Sequence, residues 1–317
     1  MYSIEVCAGA GGQALGLETA GFQHLDLVEI DEWACKTLRA NRPGWRVSEC
    51  DLKDFPAWKY KGVDLYAGGL PCPPFSVAGK QLGEKDERNL FPLAIEQIAE
   101  CRPNAVMIEN VRGLLDPRFD DYRLGIENSL RKQGFMVGWR LFNAAGFGVP
   151  QQRPRVTLVA IKRRYADRFE FPVPNGSVPR TVGETLFDLM ASRGWSGAKK
   201  WRLKANGIAP TIVGGSKKHG GPDLGPTRAR HAWAQLGVDG LGIADEAPDQ
   251  SFPMDAMPKL TGRMVARVQG FPDTWLFAGR KTHVHRQVGN AFPPPVACAV
   301  AQRIAYAFGM PLVAAAE

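Results

Sequence analysis

The chain has 317 residues, 44% hydrophobic and 23% charged, with 40 Lys and Arg against 32 Asp and Glu for a net charge of +8. That composition suits one sizeable core with a smaller second body, and no apolar run approaches the roughly 18 to 20 residues of a membrane-spanning helix. Six cysteines without C-x-x-C spacing indicate neither a zinc site nor a redox pair, and the excess of positive charge favours a polyanionic partner.

In chain order, residues 3–7, 25–28, 63–67, 105–108 and 156–161 are short β-type apolar runs, with helical periodicity at 13–20, 31–41 and 91–101. This alternation predicts an α/β fold built on a doubly wound, mostly parallel sheet. The N-terminus opens directly as a strand without a basic and apolar leader, which points to a cytoplasmic protein with free thiols.

Three strand ends carry groups suited to a ligand, and in such sheets ligands bind at the carboxyl ends of strands. After the first strand, Ala8-Gly9-Ala10-Gly11-Gly12 allows a tight turn and close approach to the backbone. Its spacing is G-x-G-G, not the dinucleotide pattern G-x-G-x-x-G. The second strand ends in Glu29-Ile30-Asp31, an acid placed to accept from ribose hydroxyls, and Asp51 marks a third tip. Both acids would also suit helix N-termini. The run 63–67 enters Gly68-Gly69-Leu70-Pro71-Cys72-Pro73-Pro74-Phe75-Ser76, whose prolines exclude helix and central strand. The Cys72 thiol therefore sits on a rigid loop at a strand end, although a lone cysteine is more often a small buried hydrophobe.

From about 171 to 258 proline and glycine become frequent and periodicity weakens, which predicts an inserted, irregular domain. The expected boundaries are 1–171, 172–258 and 259–317, with helical order returning at 259–270 and 295–308.

Six separated segments then line up: Ala8-Gly9-Ala10-Gly11-Gly12, Pro71-Cys72 with Phe75-Ser76, Glu109-Asn110-Val111, Gln152-Arg153-Pro154-Arg155, Arg267-Val268-Gln269-Gly270-Phe271-Pro272 and Gln287-Val288-Gly289-Asn290. In this order they resemble the DNA (cytosine-5) methyltransferases of bacterial restriction–modification type, over essentially the whole chain apart from 172–258. Three positions depart from the usual family pattern: Cys7 stands for Phe, Pro73 for Gln and Pro154 for Glu.

The resemblance implies a Rossmann-like, S-adenosylmethionine-dependent methyltransferase domain with a smaller target-recognition domain. The implied substrate is a cytosine flipped out of double-stranded DNA. Cys72 is implied as the nucleophile that adds to C6 and makes C5 enamine-like. Glu109 would meet the N3 edge, Asn110 orient the loop, and Arg155 contact O2 with its planar fork. Arg153 would be the partner of Arg155 for the active-site loop and DNA backbone. Around the cofactor, Ala8, Gly9, Gly11 and Gly12 would approach it closely, Glu29 would take the ribose, Ile30 pack on adenine, and Asp51 meet its amino group. Leu90 would line the pocket, and Asn290 would belong to the return element that sets a C-terminal helix beside the first segment. Read without the resemblance, Glu109 suits a helix cap, the arginines surface ion pairs, and Ile30 and Leu90 plain core.

The polar segment 77–88, with glycines at 79 and 83, is similar to the family's mobile loop, which makes Ala78, Lys80 and Gln81 candidate DNA contacts. Between Arg193 and His231 nine basic residues face a single acid, Asp223, with Trp195 and Trp201 interleaved. That concentration suits phosphate contacts, the plain alternative being a solvated face. The segment Gly207-Ile208-Ala209-Pro210-Thr211-Ile212 resembles the family's support for the flipped nucleotide, so Thr211, Lys217, Lys218, His219, Arg228 and Arg230 complete the DNA-contact candidates. The resemblance implies a monomer on duplex DNA, with a restriction endonuclease for the same site as its companion. A transfer-RNA enzyme of the same fold and a silent DNA-binding relative stay open as alternatives; a nicotinamide oxidoreductase is disfavoured by the glycine spacing.

Overall fold

A computed structural model describes residues 1–71, 89–174, 176, 178–214 and 221–311. Cys72, Ala78, Lys80, Gln81, Lys217, Lys218 and His219 lie outside the described residues. The chain divides into two compact units, Met1–Phe142 with Pro154–Val173 and Val296–Glu317, and Asn143–Arg153 with Pro174–Pro295.

The first unit is built on seven strands: β1 (Tyr2–Val6), β2 (Gln23–Glu29), β3 (Val47–Glu49), β4 (Leu65–Gly69), β5 (Ala105–Val111), β6 (Phe135–Asn143) and β7 (Pro154–Lys162). Their order in the sheet is β3-β2-β1-β4-β5-β7-β6. The pairs β2–β3, β1–β2, β1–β4 and β4–β5 are parallel, whereas β5–β7 is antiparallel. Helices α1 (Gly12–Thr19), α2 (Glu32–Asn41), α3 (Phe91–Cys101) and α4 (Asp120–Lys132) follow β1, β2, β4 and β5 in the chain.

β5 opens on the apolar run Ala105–Ile108, and six of its seven residues are buried, Glu109 and Asn110 among them, as expected of a strand covered on both faces. Ile4, Val6, Val28, Tyr66, Val106, Ile108, Val156 and Leu158 join one core cluster with Phe91, Ala94 and Ile98 of α3, a stripe with helical period. β6 escapes periodicity arguments because it is an edge strand whose burial alternates poorly along its length.

The second unit is more ordered than its composition predicts. It carries α6 (Val182–Ala191), α7 (Ala198–Lys204), α8 (Thr227–Gln235), α9 (Gly262–Val268) and α10 (Lys281–Asn290), after the short α5 (Arg163–Ala166) of the first unit; α11 (Pro294–Ala307) closes the helical series. Helix α6 starts at a capping box in which the Thr181 hydroxyl accepts from Glu184 N and the Glu184 carboxylate accepts from Thr181 N. Trp195, Trp201 and Trp233 are buried. The indole N–H groups of Trp195 and Trp201 donate to the carbonyls of Pro253 and Gly237, so these tryptophans are core and not stacking platforms for bases. Residues 259–295, expected to rejoin the catalytic domain, pack with this second unit, and 143–153 joins it too.

Candidate active site

The ends of β4, β5 and β7 carry the residues expected to do chemistry. Gly69 lies opposite Glu109 in the parallel ladder. Because β7 runs antiparallel to β5, its first residues fall beside the last residues of β5, with Arg155 opposite Val111 and Thr157 opposite Glu109. The Arg155 Nε lies 2.9 Å from Glu109 Oε1, with side-chain exposures of 15% and 6%. An ion pair this buried is held by mutual compensation: removing one partner strands the other charge, at about 3–5 kcal/mol. The Arg155 Nη1 also donates to the Pro154 carbonyl at 2.9 Å.

Asn110 is buried, and its side chain works in two directions. Its Nδ2 donates to the carbonyl of Leu70 at 3.4 Å, while its Oδ1 accepts from Val111 N at 2.9 Å. The end of β5 thus holds the backbone just after β4, two residues before Cys72. Of the described cysteines, Cys35 and Cys101 are pushed up to about 12, burial being the largest cause in each. Cys50 and Cys298 are also raised by burial. Such thiols stay protonated at neutral pH and are poor nucleophiles.

A second group of residues gathers at the ends of β1, β2 and β3. Gly9 and Gly11 adopt left-handed backbone, with φ of 54° and 85°, and Gly11 caps α1; the turn needs a residue without Cβ. Cys7 has φ of 51° there as well, an uncommon conformation for a side-chain-bearing residue. The Glu29 carboxylate accepts from Gly9 N at 2.7 Å, Ile30 N at 2.8 Å and Asp31 N at 2.7 Å. Burial raises its pKa, and those backbone bonds oppose the shift. Ile30 beside it is 64% exposed, and Ala8 N continues the sheet by donating to Val28 O at 3.0 Å. Gly12 opens α1. Asp51 sits just past β3, next to the β2 tip, and its carboxylate caps the following helical turn by accepting from Lys53 N at 2.9 Å. Leu90 caps α3 and packs partly buried against the core.

These residues fit S-adenosylmethionine. Glu29 is held rigid and has acceptor capacity remaining on Oε2, Ile30 offers an exposed apolar surface, and the glycine turn leaves room for close approach.

Two further expected site residues belong to the second unit. Arg153 is 1% exposed and its guanidinium is spent on backbone: Nη1 donates to Ile212 O at 2.7 Å, and Nη2 to Gly289 O and Ala291 O at 2.7 and 2.9 Å. A charge so enclosed is not presented to a DNA phosphate. Asn290 ends α10 in the second unit, where it lies against Gly214. Thr211 is half-buried and its hydroxyl donates to Gln152 O at 2.5 Å. Arg228 and Arg230 lie in the first turn of α8 and make no carboxylate ion pair among the described residues.

Sequence reasoning passed over Gln151 and Gln269. Both are buried; Gln151 Nε2 donates to Gln269 Oε1 at 2.6 Å, its Oε1 accepts from Ile212 N at 2.9 Å, and Gln269 Nε2 donates to Ala291 O at 2.6 Å. The signal available was that Gln269 stands inside a segment carrying the resemblance and Gln151 directly before another. Glu5 was also passed over: it is fully buried on β1 and its pKa is raised well above the carboxylate range, chiefly by burial.

The seven-stranded, mostly parallel sheet and the family match together define a methyltransferase fold. Residues 1–306 match the C-5 cytosine-specific DNA methylases, and the chain belongs to that family. It is 55% identical over 311 residues to the Type II methyltransferase M.NaeI of Lentzea aerocolonigenes, covering 97% of this chain and 75% of that protein. It is 53% identical over 305 residues to the Type II methyltransferase M.NgoMIV of Neisseria gonorrhoeae, covering 95% of this chain and 96% of that one. A Spodoptera frugiperda DNMT2 variant shares the fold with a TM-score of 0.67 at 16% identity, over 96% of this chain and 99% of the other.

Proposed function

We propose that this DNA (cytosine-5) methyltransferase acts on one short sequence in duplex DNA as the modifying partner of a type II restriction endonuclease. The observation that carries the chemistry is the buried Arg155–Glu109 pair beside the strand end that leads to Cys72. Cys72 adds to C6 of the flipped base, and the negative charge this places on the ring is received at N3 and O2; once C5 carries the methyl group, its proton leaves to a base or water and the Cys72–C6 bond breaks, which restores the ring. Glu109 meets N3. The Arg155 guanidinium has five N–H donors and serves O2 while its Nε holds Glu109. Asn110 keeps the chain entering Cys72 in register by gripping the Leu70 carbonyl.

Bound S-adenosylmethionine supplies an electrophilic methyl group; Glu29, Ile30, Asp51 and the glycine turn would hold it. Leu90 is assigned to the same pocket. Thr211, Arg228 and Arg230 are assigned to DNA, together with Ala78, Lys80, Gln81, Lys217, Lys218 and His219 of the segments outside the described residues. The enzyme works as a monomer in the cytoplasm, where its DNA lies. No helix among the described residues is long and apolar enough to cross a membrane.

The test is base-resolution mapping of cytosine methylation in DNA from a methylation-free host that expresses the chain or Cys72→Ser. Wild type should methylate C5 at one short motif, whereas the serine variant, a far weaker nucleophile, should bind cofactor normally and leave that motif unmodified. Methylation by the variant would remove the covalent step, and none by folded wild type would remove DNA as substrate.

A further inference from the structure

The backbone at 212–214 is gripped by side chains from two segments that the family resemblance connects with catalysis and cofactor. Ile212 N donates to Gln151 Oε1 and Ile212 O accepts from Arg153. Val213 O is 3.1 Å from Nε2 of the buried His285 on α10, which donates to it. Gly214 then crosses α10 at Gly289, so closely that a Cβ on Gly289 would stand 2.3 Å from Gly214 N and 2.4 Å from its Cα. Real Cβ contacts do not come this close, and the obstacle is backbone that cannot swing aside. Arg153 ties the arrangement together by binding the carbonyls of Ile212, Gly289 and Ala291 at once, and Gln269 adds a second bond to Ala291 O.

We propose that Gln151, Arg153, His285 and Gly289 form a clamp that fixes the backbone of 212–214 and so determines which DNA sequence is accepted, with no contact of their own to base or cofactor. This rests on the reading of 207–212 as support for the flipped nucleotide. Three polar groups of this backbone strap, Ile212 N, Ile212 O and Val213 O, are each met by a buried side chain, and unmet buried groups of this kind are costly. The clamp therefore tolerates one backbone path. A guanidinium suits the task because its rigid fork reaches several carbonyls at fixed angles, which the point charge of lysine does not. These are positioning residues, and Arg153 acts on the backbone of 212–214.

The experiment compares wild type with Gly289→Ala and His285→Phe, using a duplex with the mapped site and one with a single base pair of it changed. Initial rates give kcat and KM for DNA, titration gives cofactor affinity, and thermal melting reports folding. Both folded variants should bind S-adenosylmethionine within about threefold of wild type while KM for the cognate duplex rises about tenfold or more. Preference for the cognate over the altered duplex should fall by at least about tenfold. His285→Phe removes one donor and inserts no atom into the crossing, so it stays informative if Gly289→Ala does not fold.

Unchanged KM and preference in a folded variant would overturn the clamp, as would a loss confined to cofactor affinity or to kcat at saturating DNA. Should wild type show no site preference at all, it is the reading as a site-specific DNA enzyme that fails, and mapping reveals this before any variant is made.

Discussion

Glu29 illustrates how one residue can be structural and functional at once. Its carboxylate binds three main-chain N–H groups from the turn after β1 and from its own strand end, which locks the tips of β1 and β2 together. Burial raises its pKa, and the three backbone donors oppose that shift. Glu29→Ala should weaken S-adenosylmethionine binding by about tenfold or more, with a smaller effect on DNA affinity. Calorimetric titration with each ligand is the check, and unchanged cofactor affinity would remove Glu29 from the ribose. Asp51 differs: its helix-capping bond satisfies one oxygen locally, so the ligand role proposed for it would stand beside a structural one.

At the scale of elements, the second unit is pinned by Arg267 of α9. Its Nε donates to Asp273 Oδ1 at 2.9 Å, and its Nη1 reaches Asp188 of α6 at 2.5 Å and Thr185 O at 3.0 Å. The hydrogen bonds from Arg267, above all, hold Asp273 down at about 2, and those to Asp188 lower that carboxyl as well. A carboxyl depressed in the folded state adds stability above its unfolded value near about 4 and loses it as pH falls toward the folded value. Arg267→Met should therefore lower the urea midpoint at pH 6. That deficit should shrink to about half by pH 3, as protonation removes the contribution from wild type as well. A deficit independent of pH would show that Arg267 acts by packing alone. The effect is modest because these groups are partly exposed and solvent screens them.

For the whole molecule, charge is distributed differently in space than along the chain. Counted locally, the stretch from Arg193 to His231 is almost purely basic. In the structure Arg193 pairs with Glu246 and Asp249, and Lys200 with Asp255, acids supplied from beyond that stretch. Lys199, Arg202, Lys204, Arg228 and Arg230 make no carboxylate ion pair among the described residues, and Arg228 and Arg230 are the two of them proposed to meet phosphate. Replacing Arg228 and Arg230 by alanine should weaken DNA binding across sequences. The plot of log affinity against log salt should also become shallower by about 2, because two phosphate contacts and their released counterions are lost. An unchanged slope, measured by fluorescence anisotropy over a salt series, would take these arginines off the DNA.

What the sequence by itself determined was the alternating α/β architecture and the family. These rest on local information: period-two and helical apolar patterns, turn residues at strand ends, and short segments in a set order. The tertiary structure alone decided that β7 runs antiparallel to β5, which is what sets Arg155 on Glu109. It also decided that Arg153, two residues away, turns its charge onto three carbonyls, that the insert's tryptophans fill a core, and that residues 259–295 pack with the second unit. Neighbouring arginines look alike in a sequence, because pairing and burial depend on what distant chain is brought beside them. Strand direction likewise depends on how the intervening 143–153 excursion returns, and no local pattern encodes that.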